Sequence, residues 1–118
     1  MVNYEGKCRH LHGHNGKVEI EIAAETLDHR GMVVDFGEIS TVVKTWIDRE
    51  LDHKMLLHRE DRMLKVLQDL NEPCFVMDEN PTAENIAKLI YDYAISQGFR
   101  VAEVRLWETT TSFATYQG

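Results

Sequence analysis

Apolar residues recur along this chain in two rhythms. Between Lys17 and Ala23 the order Val18-Glu19-Ile20-Glu21-Ile22 alternates aliphatic with charged side chains, the period of two that gives a strand one core face and one wet face. From Phe36 to Leu51 the apolar positions Phe36, Ile39, Val43, Trp46, Ile47 and Leu51 step by three and four, which lines one side of an α-helix. Asp35 ahead of this run is a good N-cap, and Glu38 three residues later suits a capping box. The helix is therefore predicted to start at Phe36 and to pack on the sheet. Residues 1–16 follow neither rhythm; polar and rich in Gly, Asn and His, they read as a loop. Asp28-His29-Arg30-Gly31 supplies a turn, with Met32-Val33-Val34 as a short extended segment behind it.

The second half repeats both rhythms. Met63, Val66, Leu67 and Leu70 fall at helical spacing, so a short helix is expected over 59–70, broken by Asn71-Glu72-Pro73. Cys74-Phe75-Val76-Met77 looks extended. Asn80-Pro81-Thr82 offers a capping residue and a proline suited to a first turn, and a second long helix should follow with Ile86, Leu89, Ile90 and Tyr93 as its apolar stripe. Gly98 is placed to end it, because glycine tolerates the left-handed conformation beyond a helix C-terminus. Strand-like alternation returns at 101–107, Thr109-Thr110-Thr111-Ser112 makes a polar turn, and Phe113-Ala114-Thr115-Tyr116 should pair back as a hairpin. The expected class is α+β, a single domain over 1–118 with an antiparallel β-sheet and two long helices packed on one face.

Charge and cysteine usage narrow the function classes. Twenty acidic residues against 13 basic ones give a formal charge of -7, with no Lys/Arg cluster, so no nucleic-acid footprint is expected. No apolar stretch approaches the roughly 18 residues needed to cross a bilayer. The first residues also lack the basic start and apolar run of a signal peptide, so no membrane and a cytoplasmic address are expected. Two cysteines under reducing conditions should remain thiols.

Cys8-Arg9-His10-Leu11-His12-Gly13-His14 places three of the six histidines and one cysteine within seven positions. If His12 and His14 begin the strand that runs on through Val18, both imidazoles point to one face, where two nitrogens can converge on zinc. The plain alternative is a solvated His-rich loop. Metal and His neighbours would lower the Cys8 pKa and expose a thiolate, which favours a catalytic base or nucleophile over a buried thiol. Cys74, flanked by Pro73 and Phe75, reads instead as an inert small hydrophobe. Asp52-His53 at a helix end is the usual build of a proton shuttle, although such pairs also occur as solvated termini. Glu108, just after Trp107, could accept paired hydrogen bonds from an amidine-like N–H edge or be an ordinary strand-end carboxylate. His29 and His58 read as solvated.

Five strings in register, Cys8-x3-His12-Gly13-His14, Gly31-Met32-Val33-Val34-Asp35-Phe36, Leu51-Asp52-His53, Asn80-Pro81-Thr82-Ala83-Glu84-Asn85 and Glu108-Thr109, resemble the 6-carboxytetrahydropterin and 6-pyruvoyltetrahydropterin synthase family. The short Cys-x3-His-x-His spacing is more like the carboxy-forming branch, which feeds queuosine and related deazapurine synthesis. The resemblance implies the tunnelling fold, with sheets joined into trimeric barrels that stack as homohexamers and active sites between subunits. It implies 7,8-dihydroneopterin triphosphate as substrate, losing triphosphate and acetaldehyde. It also implies His12 and His14 as zinc ligands, Cys8 as the proton-transferring thiolate, Asp52-His53 as its acid/base partner, Glu108 as the pterin anchor, and Thr82 and Glu84 near the pterin. The family's opening strand, with a third zinc histidine, has no counterpart ahead of Cys8, and Leu57 stands where relatives often carry Asn. A pyruvoyl-forming enzyme and a degenerate pterin-binding paralogue are the alternatives.

Overall fold

The structure, a computed structural model, describes residues 16–22 and 36–118, with the side chain of Phe36 excepted. The element order is β1 (Lys17–Ile22), α1 (Phe36–Glu50), β2 (Met55–His58), α2 (Arg62–Asp69), β3 (Cys74–Met77), α3 (Ala83–Ser96), β4 (Val101–Trp107) and β5 (Phe113–Tyr116). Among the described residues, one compact unit comprises Trp46–Thr82 and the other 16–22, 36–45 and Ala83–Gly118. No described helix is long and apolar enough to cross a membrane.

In the second unit the expected antiparallel sheet forms in the order β1-β4-β5. Val18 pairs with Leu106 and Ile20 with Val104, so the apolar positions of the alternating strand stand beside those of β4. Leu106 in turn pairs with Ala114, and α3 lies against β4 and β5. The stripe that α3 buries differs from the expected one. Ala83, Ala87, Ile90 and Ala94, spaced by four, three and four, are the buried residues, whereas Ile86, Leu89 and Tyr93 are half-exposed. Three alanines suit a close approach of the helix to the sheet, and Ile90 on the helix and Val104 on β4 are the largest fully buried side chains. Burying a side chain of that size contributes about 1.5–3 kcal/mol. Bulk in the sequence marked a neighbouring face; closeness of packing selected the alanine face.

Gly98, with φ +90°, ends α3 as expected. Its N–H donates to Ile95 O at 3.0 Å and that of Phe99 to Ala94 O at 3.2 Å, the bond pair of a Schellman motif.

The first unit contains an element the sequence left unassigned. Met55-Leu56-Leu57-His58 forms β2 and pairs in parallel with β3, Leu57 opposite Val76. Parallel neighbours need a crossover connection, which α2 supplies. Leu57 is buried in this strand at 4% exposure, and an amide there would need buried partners. Trp46 meets Phe75 edge-to-face with ring centroids 6.4 Å apart. The short helix starts later than 59 because Asp61 caps it, accepting from Met63 N–H at 2.9 Å. Asn71, at φ 58°, closes it through a second Schellman pair, Asn71 N–H to Gln68 O at 3.0 Å and Glu72 N–H to Leu67 O at 2.9 Å.

Candidate active site

The end of α1 shapes the first group of candidate residues. The Ile47 carbonyl accepts from both Leu51 N–H and Asp52 N–H at 2.9 Å, while Leu51 is buried and anchors the turn. His53 then adopts φ 57°, a left-handed conformation uncommon outside glycine, and the chain turns into β2. Asp52 and His53 are brought together: His53 Nδ1 lies 3.1 Å from Asp52 Oδ2. The imidazole is 93% exposed, so the ring stands open to solvent or substrate beside the Asp52 carboxylate. A local left-handed residue that carries a titratable ring is the kind of strain that functional sites hold.

Glu108 follows the last residue of β4 and is exposed. Its N–H donates to Ser112 O at 3.0 Å, and Trp107 and Phe113, paired across the hairpin stem, meet with ring centroids 4.4 Å apart and planes tilted by 39°. Behind them Arg105 joins Glu103 and Glu19 across the sheet, and Gln117 Nε2 donates to Glu103 Oε1 at 2.9 Å. A carboxylate is thus set on a short braced turn.

Thr82 immediately precedes α3, with its N–H donating to Asn80 O at 2.8 Å, and Glu84 is exposed in the first turn. Asp52 and His53 belong to one compact unit and Glu108 to the other. Cys8, His12 and His14 lie outside the described residues, as does Asp35. Among the described residues, no three His, Cys, Asp or Glu side chains gather into a set that could hold a metal ion.

Two side chains gain roles that sequence reasoning missed. His58, read as solvated, accepts from Glu60 N–H through Nδ1 at 2.9 Å at the end of β2. Thr109, read as part of a polar turn, accepts from Thr111 N–H at 3.2 Å and Ser112 N–H at 3.0 Å through one hydroxyl. A threonine two or three residues ahead of polar turn positions was the available signal. Cys74 is half-buried in β3, its thiol directed to Glu72 O at 3.4 Å.

Comparison with known proteins gives first a class and then a family. A protein of Rickettsia felis named 6-carboxy-5,6,7,8-tetrahydropterin synthase is 38% identical over 120 residues, covering 96% of this chain and 87% of that protein. One of the same name from Haemophilus influenzae is 34% identical, covering 99% of this chain and 89% of that one. The crystal structure of an uncharacterized protein from Wolinella succinogenes superposes with a TM-score of 0.78 at 28% identity, over 94% of this chain and 81% of that one. The class is thus a lyase-type α+β enzyme. The chain belongs to the 6-pyruvoyl tetrahydropterin synthase family, whose model matches residues 1–118.

Proposed function

We propose that the protein is a zinc-dependent 6-carboxy-5,6,7,8-tetrahydropterin synthase. In this reading it converts 7,8-dihydroneopterin triphosphate with loss of triphosphate and acetaldehyde, in the cytoplasmic route to queuosine and related deazapurines. The observation that carries the acid/base part is the exposed His53 ring oriented by Asp52 at 3.1 Å. The names of the relatives support the substrate and product.

Each residue then has a task. His12 and His14 hold zinc, which when bound polarises the side-chain oxygens of the substrate and acidifies the adjacent C–H. Cys8, as thiolate, accepts the proton from that carbon. His53 carries a proton at Nε2 while Asp52 keeps Nδ1–H in place and offsets the charge of the imidazolium. Glu108 accepts two N–H bonds from the amidine edge of the pterin, a bidentate contact to a charged acceptor. Thr82 and Glu84 flank the pterin, and the working assembly is a homohexamer, a dimer of trimers with sites between subunits.

Turnover of 7,8-dihydroneopterin triphosphate by zinc-loaded protein, with chromatography of the pterin product, tests this reading. The expected product is the 6-carboxy acid, and Cys8→Ala and His53→Ala each reduce kcat by about 100-fold or more. Chelation should abolish turnover and zinc restore it. A 6-pyruvoyl product, or full turnover by both variants, contradicts the proposal.

A further inference from the structure

The loop from Glu108 to Ser112 is tied at two atoms. Ser112 O accepts from Glu108 N–H at 3.0 Å and from Thr109 N–H at 3.4 Å. Thr109 Oγ1 accepts from Thr111 N–H at 3.2 Å and Ser112 N–H at 3.0 Å. The first set closes the hairpin, and the second folds the tip back onto the residue that follows the candidate anchor. A hydroxyl that accepts from backbone N–H groups two and three residues on is the side-chain mimic of a turn. Thr110 and Thr111 are exposed at the tip.

From this geometry we infer that Thr109 is a positioning residue for the pterin: its hydroxyl fixes the Glu108 turn so that both carboxylate oxygens meet the ligand's N–H edge together. The inference rests on Glu108 being the pterin anchor. A bidentate contact loses much of its strength when the acceptor can rotate, because the turn must then be ordered at the moment of binding. The exposed turn lets water satisfy the two N–H groups if the hydroxyl is removed, so the fold persists and the loss falls on binding.

The test measures the Kd of 7,8-dihydroneopterin by fluorescence, and KM and kcat with its triphosphate, for the full-length zinc-loaded protein. Thr109→Val, which keeps shape and removes the acceptor, should raise Kd and KM by about tenfold, equivalent to roughly 1.4 kcal/mol, with kcat within about twofold. Thr109→Ser should restore both values to within about threefold of the parent, and Thr110→Val should leave them unchanged. Thermal unfolding of each variant should lie close to that of the parent. Glu108→Gln separates the two layers. Weak binding by Glu108→Gln with parental binding by Thr109→Val overturns the positioning role alone. Parental binding by Glu108→Gln overturns the anchor, and the inference with it. A Thr109→Ser variant as weak as Thr109→Val also overturns the positioning role, since the hydroxyl is then not what matters.

Discussion

Helices α2 and α3 carry apolar residues at the same helical spacing and bury very different amounts. On α3 the buried face is small, three alanines around Ile90 at 1% exposure, and the helix lies against two strands of the antiparallel sheet. On α2 and its C-cap the apolar residues are larger, Met63, Val66, Leu67 and the capping Leu70, yet none is buried, with Val66 at 46% and Leu70 at 66% exposure. Periodicity reports which face of a helix is apolar. Side-chain size and the neighbouring surface decide whether that face closes.

Substitutions can break or sharpen this contrast. Ile90→Ala removes the one large side chain in the α3 stripe and should cost about 2–5 kcal/mol in urea unfolding. A loss below about 1 kcal/mol would mean that the alanine face does not hold the core. The turn after α1 gives a smaller effect of opposite sign. His53→Gly relieves a left-handed residue and should add about 1 kcal/mol of stability while removing turnover. Unchanged or lower stability would show that the turn stores no strain. Smallest of all, Leu70→Ala at the C-cap of α2 should fall within about 0.5 kcal/mol of the parent, as expected of an exposed position. A larger loss would show that α2 is covered in the working assembly.

What the sequence made legible follows the same division. The strand over 17–22, the start of α1 at Phe36, the Gly98 stop and the hairpin of β4 and β5 all announce themselves locally, through alternation, helical spacing or a residue with special backbone freedom. β2 does not, because Met55-Leu56-Leu57-His58 has neither alternation nor β-branching, and its extended form comes from pairing with a strand beyond an intervening helix. The true stripe of α3 was hidden because alanine carries little hydrophobic weight in a pattern and much importance in a close contact. At the site, adjacency in sequence made the Asp52–His53 pair readable, whereas the left-handed backbone of His53 and the Thr109 turn needed backbone geometry. Cys8, His12 and His14, singled out by their density in the sequence, lie outside the described residues.

Acetaldehyde released by the purified, zinc-loaded protein during turnover of 7,8-dihydroneopterin triphosphate tests the carboxy-forming assignment most directly. The account predicts acetaldehyde and triphosphate in equal amounts, both lost in the His53→Ala variant. Triphosphate without acetaldehyde, or neither product from protein that binds the pterin, would contradict it.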